Sequence, residues 1–234
     1  MNARRTSAKP LGRRPTVDDF NVCEHLLTTA TRLFAERGIA ATTVAQIAAE
    51  AGVTSALVHY YFTNREHLLD AVVERRLAPA AEFVWRPAAE DAAADPFALV
   101  EAFVARLFDV TERMPWLPPL WLREIVNEGG LLRERMLRRI PFDNITRFGA
   151  RVSQAQHDGT VNQDLEALLL FSSILALVML PLATAKIWQS ARGLPVIERA
   201  ALRRHVSALL IRGMQPLPHR AARTKRSGSP RSKP

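Results

Sequence analysis

The sequence predicts an all-α protein. Three observations carry that reading. Apolar residues recur at helical spacing along almost the whole chain, and no run alternates with period two. The stretch Thr42 to Leu69 packs two helix starts and a tight Ala51-Gly52-Val53 corner into a short span. Farther on, Ala167 to Ala185 runs without a single charge.

Taken in order, a first helix is expected over Val17–Arg37, with Val22, Leu26, Leu27, Ala30, Leu33 and Phe34 as its buried stripe. Thr42 and Thr43 precede the second helix, and either hydroxyl can cap its free N–H groups. Val44, Ile47, Ala48 and Ala51 form its inner face, and its alanines permit close approach. Gly52 then supplies the left-handed residue that ends a helix at little steric cost. Thr54 caps a third helix with Leu57, Val58, Tyr61 and Phe62 as apolar content. Ser55, Ala56, His59 and Tyr60 are left facing outward, a small and hydrogen-bonding surface suited to a major groove. Thr63 and Glu66 stand at capping-box spacing for a fourth helix. Arg65 at that helix start is placed to hold a phosphate with the free N–H groups.

The fourth helix is expected to reach Trp85, with Pro79 kinking or ending it. Residues 88–95 read as a linker, and Asp95-Pro96 opens a helix through Arg113. Met114 to Pro119 reads as a break with three prolines. Helices follow over Leu120–Asn127, Leu131–Ile140, Phe142–Gln156, Leu165–Gln189 and Val196–Gly213. The corner, its caps and its outward face together define a helix-turn-helix unit.

This segment resembles the N-terminal domain of the TetR/AcrR family of transcriptional regulators. The resemblance rests on Arg37-Gly38, the Thr-Thr start, Ile47-Ala48, Ala51-Gly52-Val53, the aromatic-ended Leu57-Val58-His59-Tyr60-Tyr61-Phe62, and Arg65-Glu66 before Leu68-Leu69. It covers about Phe20 to Ala71 without gaps. It implies an all-α fold: an N-terminal three-helix helix-turn-helix domain plus a C-terminal helical ligand-binding and dimerisation domain. It further implies that Thr43, Ser55, Ala56, Leu57, His59, Tyr60, Tyr61 and Arg65 hold the family's DNA-facing positions. His59 and Tyr60 exchange the Tyr and His that the family often carries, which bears on the operator sequence.

By the same resemblance the last two long helices pair with a second copy. Leu168, Ser172, Leu175 and Met179 of one, and Leu202, Val206 and Leu209 of the other, are the expected homodimer interface. The middle helices are expected to surround a pocket for a small apolar effector, lined by Phe103, Trp116, Trp121 and Phe148 with Arg123 and Glu124 as polar groups. The implied function is a ligand-responsive homodimeric repressor on a palindromic double-stranded DNA operator.

The expected organisation is a disordered basic arm over 1–15, a DNA-binding domain over 16–71, a regulatory and dimerisation domain over 72–214 and a disordered basic tail over 215–234. The chain has 234 residues and a net charge of +9. That charge sits in the two tails. From Thr16 to Arg75 the acids Asp18, Asp19, Glu24, Glu36, Glu50, Glu66, Asp70 and Glu74 outnumber Arg32, Arg37, Arg65 and Arg75. The expectation is that the N-terminal arm supplies phosphate affinity, with an inert tail as the alternative.

Cys23 is the sole cysteine and reads as a small buried thiol. No signal-peptide pattern opens the chain, so a cytoplasmic location is expected. No metal-ligand spacing, phosphate-cradling Gly loop or nucleophile elbow occurs, so neither an enzyme, a metal nor a cofactor is expected. Two other functions compete. The charge-free run 167–185 is long enough for a transmembrane helix, giving a membrane-anchored DNA-binding sensor. Alternatively, the chain is a helical protein-interaction module with a decayed corner.

Overall fold

The computed structural model describes residues 17–90, 95–190 and 198–216. The arm expected over 1–15 and the tail beyond 216 lie outside these residues, as does most of the linker after Glu90. Among the described residues the secondary structure is entirely helical. The helices are α1 (Val17–Arg37), α2 (Val44–Glu50), α3 (Ser55–Phe62), α4 (Arg65–Val72), α5 (Ala78–Glu90) and α6 (Pro96–Arg113). They continue as α7 (Leu117–Trp121), α8 (Arg133–Leu137), α9 (Phe142–His157), α10 (Ala167–Ala183), α11 (Ala185–Ser190) and α12 (Arg199–Met214). Two π turns, Val73–Leu77 and Leu122–Val126, follow α4 and α7.

The described residues form two compact units. One runs to Ala80 and takes in Pro115–Ile140; the other comprises Ala81–Met114 and the residues from Pro141 onward. The boundary expected at residue 71 therefore differs from the packing, because a later segment joins the helix-turn-helix unit.

In the first unit α1 carries the core. Leu26, Leu27, Ala30, Leu33 and Phe34 are fully buried against Ile47, Ala48, Val58, Phe62, Leu68 and Leu69. Val22 stays at the margin. Each such side chain contributes on the order of 1.5–3 kcal/mol by leaving water. The segment Pro115–Ile140 is fixed by Glu124. Its buried carboxylate accepts from the Ile39 amide at 2.9 Å and the Leu131 amide at 3.2 Å. Cys23 is only partly buried, and its Sγ accepts from Arg75 Nη1 at 3.0 Å.

The prolines behave differently from expectation. Pro79 lies inside continuous helix, two residues past the end of the π turn. A proline ring clashes with the carbonyl four residues back, here that of Arg75. The widened turn, in which Ala78 N–H donates to Val73 O, moves that carbonyl aside. Pro118 and Pro119 occupy the first turn of α7, where no intrahelical donor is lost, so the break shrinks to Met114–Trp116.

The second unit is held by aromatic and aliphatic packing. Phe103 of α6 meets Trp85 at 4.9 Å and Phe148 at 5.2 Å between ring centroids, both edge-on. Phe171 of α10 lies 4.2 Å from Trp85. Arg199 donates to Phe108 O and Thr111 Oγ1, and burial pushes its pKa down from the ordinary value. Asn162 ties the loop after α9 to the end of α12 through Met214 O at 2.9 Å and Gly213 O at 3.0 Å. The long helix expected over Leu165–Gln189 is divided at Thr184 into α10 and α11.

Candidate nucleic-acid interface

The corner is built from local sequence. Thr43, not Thr42, caps α2: its Oγ1 accepts from Gln46 N, and Gln46 Oε1 accepts from Thr43 N at 2.8 Å. Thr42 is buried and donates to Gly38 O at 2.7 Å. At the far end Val53 N donates to Ala48 O at 2.9 Å and Gly52 N to Ala49 O at 3.2 Å. This is a Schellman closure, with Gly52 at φ +69° in the left-handed position. A Cβ at Gly52 would meet nothing within 4 Å, so conformation alone selects glycine there. Thr54 then caps α3 by accepting from Leu57 N at 3.3 Å.

On α3, Val58 and Phe62 point into the core. Ala56, His59 and Tyr60 are exposed, Tyr60 at 71%. Ser55, Leu57 and Tyr61 lie at the margin, and the Tyr61 ring meets Tyr60 edge-on at 5.2 Å. Thr43 is exposed beside this face. All eight residues expected to face DNA are thus wholly or partly open to solvent.

The eighth, Arg65, has another occupation. Its Nη1 donates to Thr42 O at 2.7 Å and its Nη2 to Ile39 O. The guanidinium is a clasp between α4 and the loop before α2, so the expectation of a phosphate held by that head group is corrected. Ile39 is gripped at both ends of its residue, its amide by Glu124 and its carbonyl by Arg65. The cap of α4 is also corrected. Asn64 Oδ1 accepts from His67 N at 2.9 Å, while Thr63 takes φ +48° to let the chain turn in two residues.

The excess of acids in this region finds its partners. Every acid with a described side chain between residues 21 and 77 is ion-paired. Glu24 meets Arg75 and Arg76; Glu36 and Glu50 meet Arg32. Glu66 and Asp70 share Arg135 of α8, and Glu74 meets Arg139. None of these pairs lies on α3. The exposed face of α3 carries no carboxylate and is flanked by ion-paired ones, which removes a repulsion that would oppose a polyanion.

The other expected sites divide. Phe103 and Phe148 are buried together in the second unit. Trp116, Trp121, Arg123 and Glu124 belong to the first unit. Glu124 serves the backbone of the helix-turn-helix unit, and Arg123 is exposed. Among the expected interface residues, Leu168, Ser172 and Leu209 are exposed and Leu175 is partly so. Met179, Leu202 and Val206 are buried within their own unit. Among the described residues no helix is long and apolar enough to cross a membrane.

A helix-turn-helix with reciprocal caps, an open third helix and a separate helical unit has the architecture of a helix-turn-helix regulator. Residues 26–72 match the family described as bacterial regulatory proteins, tetR family. It is 34% identical over 97 residues to the HTH-type transcriptional regulator BetI of Rhizobium meliloti, covering 42% of this chain and 47% of that protein. With BetI of Burkholderia thailandensis the identity is 31% over 125 residues, 53% of this chain and 61% of the relative. The chain thus matches about half the length of these curated relatives. The fold is similar to the ketosteroid transcriptional regulator KstR2 of Mycobacterium tuberculosis, with TM-score 0.66 at 20% identity over 83% of this chain and 95% of that one. It is also similar to the fatty acid degradation regulator FadR of Bacillus halodurans, with TM-score 0.58 at 18% identity over 81% and 94%.

Proposed function

We propose that the protein is a homodimeric DNA-binding transcription regulator, a repressor released from a palindromic operator by a small organic effector. The observation that carries the reading is the α3 face: Ala56, His59 and Tyr60 stand open on a helix fixed by caps at both of its neighbours. Ser55, Leu57 and Tyr61 flank them, and Thr43 adds a hydroxyl at the start of α2. Arg65 acts behind this surface by holding the loop before α2, and the free N–H groups at the start of α4 remain the phosphate donors.

Dimerisation is supported by α10. Leu168, Ser172, Ala176 and Leu180 recur every four residues and are all exposed, forming an apolar stripe along the helix. Leu209 on α12 extends the set of open apolar residues. A second copy covering this stripe would bring a second α3 alongside the first, as a palindromic site requires. The effector is assigned to the second unit around Phe103 and Phe148.

Duplex selection from a random pool, followed by gel shift on the recovered site, tests the reading. A two-fold symmetric site bound by two chains is the expected result. Tyr60→Ala should weaken that complex at least about tenfold while leaving the fold intact, as loss of a base-facing contact predicts. A folded chain that recovers no sequence, or a Tyr60→Ala variant that binds as well as the parent, would sink it and favour a protein-interaction module.

A further inference from the structure

The loop between α1 and α2 ends on Thr43, which caps α2 and belongs to the surface proposed to face DNA. Its residues are linked to one another. Thr42 N donates to Ile39 O at 3.1 Å, and Thr42 Oγ1 donates to Gly38 O at 2.7 Å. A displacement of Ile39 is therefore passed to Thr42, to the Thr43 cap, and through α2 to the corner that sets α3. Arg65 of α4 holds the loop at Ile39 O and Thr42 O. The hold on Ile39 N comes from Glu124, 85 residues farther along the chain.

Glu124 is fixed by its own segment before it reaches Ile39. Leu131 N donates to its Oε2 at 3.2 Å, and Leu132 N donates to its backbone O at 3.2 Å. The chain doubles back through Gly130, where a Cβ would overlap Glu124 O. Oε1 is thus presented to Ile39 N by a side chain with little freedom left. Apolar contact already joins the two parts of the unit: α1 packs along α7, and Ile39, Leu120 and Leu132 are fully buried. Such contact is non-directional and does not by itself fix where the loop stands. Glu124 is only 5% exposed, and a charge is costly to bury. A buried carboxylate that spends both oxygens on backbone amides adds direction more than strength.

We propose that Glu124 is a positioning residue for DNA recognition: by holding Ile39 N it sets where α2 and α3 stand, without touching DNA itself. The inference rests on the reading of the α3 face as the DNA surface, and it names the distant residue that aims that face. Reading base edges requires side chains placed to within about 0.5 Å. Attraction to phosphates depends on charge and is indifferent to sequence. Losing the bond therefore lowers affinity for the chosen sequence and spares affinity for other DNA.

The test uses the full chain and two duplexes, the site recovered by selection and a scrambled one, across a salt series. Glu124→Met keeps the length of the side chain and removes both acceptors; Glu124→Gln keeps one. The ratio of specific to scrambled affinity should fall at least about tenfold in Glu124→Met, the worth of one base contact, and at least about threefold in Glu124→Gln. Affinity for the scrambled duplex should change by less than about threefold, with the same salt dependence, because no phosphate contact is lost. Leu120→Ala is the control for stability: it opens a cavity in the same segment, and its side chain makes no hydrogen bond. Urea unfolding measures the stability of each variant, and affinities are read where all are folded. Leu120→Ala should then keep the parental ratio. A parental ratio in Glu124→Met overturns the assignment; should that variant fail to fold, a parental ratio in Glu124→Gln does so. A ratio lost equally in Leu120→Ala overturns it as well, since general loosening would then suffice. A parent that selects no duplex removes the DNA reading itself. A parent that selects a duplex while the Glu124 variants match it removes Glu124 alone.

Discussion

The two units of this chain solve the burial problem in opposite ways. In the first, polar groups are tied down one by one. Glu124 and Arg65 grip the same residue, Ile39, and each described acid from Glu24 to Glu74 has an arginine. In the second, the core is a group of rings packed edge-on, an apolar stripe on α10 stays open, and Arg151 Nη1 is buried without a hydrogen-bond partner. The difference teaches what each unit is built for. Directional bonds fix the geometry of a surface that must match DNA without adjusting. Ring packing is less directional and holds the second unit by burial rather than by placed bonds.

The comparison can be broken most severely in the ring group. Phe148→Ala removes a fully buried ring between α9 and α6. A cost of about 3–5 kcal/mol is expected. Urea unfolding followed by tryptophan fluorescence should register the loss, because Trp85 belongs to the same group. A loss under about 1 kcal/mol would mean that the unit repacks freely and that the rings do not hold it.

Glu124→Ala tests the opposite strategy. It strands two backbone amides in a buried site, at about 1–3 kcal/mol for each left unsatisfied. The Ile39 loop should loosen, so amide exchange at Ile39 should quicken more than exchange in α9. An unchanged rate at Ile39 would show that Arg65 alone holds the loop. Thr43→Ala is a smaller blow to the same unit. Removing one half of a reciprocal cap costs about 1 kcal/mol, and the helical signal of α2 should fray without loss of the fold. A variant as stable as the parent would assign the cap to Gln46 alone.

How much of this was legible in the sequence follows from the range of each interaction. The corner was readable because its signals are local: Thr43 with Gln46, Gly52 after Ala51, Thr54 before Ser55. The same local logic failed at Thr63, where two adjacent residues could each cap and the backbone chose Asn64. Pro79 and Pro118 read as breaks because a π turn and a helix start absorb prolines in ways that periodicity does not encode. Glu124 was placed with the effector because its partner Ile39 lies 85 residues away. Nothing in the spacing of α1 to α4 announces that Pro115–Ile140 packs with them. The exposed residues of α3 were visible as an outward helix face. The interior role of Arg65 was not, since a cation at a helix start looks the same whether it faces a phosphate or two carbonyls.

The smallest effect is expected where the charges are most numerous. Glu66, Asp70 and Glu74 lie one turn apart, opposite Arg135 and Arg139 across from α8. Arg135 is mostly covered, bridges two acids and also donates to Leu131 O at 3.0 Å. Arg139 and Glu74 are both about half exposed, so water and salt screen their attraction. Arg139→Ala should therefore cost no more than about 0.5 kcal/mol, and that increment should vanish in about 1 M salt. Arg135→Ala should cost clearly more and keep most of its effect in salt, because its bond to Leu131 O is not a surface ion pair. Equal losses for the two variants would mean that the row of charges acts as one screened surface. Unequal losses would place its strength in Arg135, the member that uses directional bonds as the rest of its unit does.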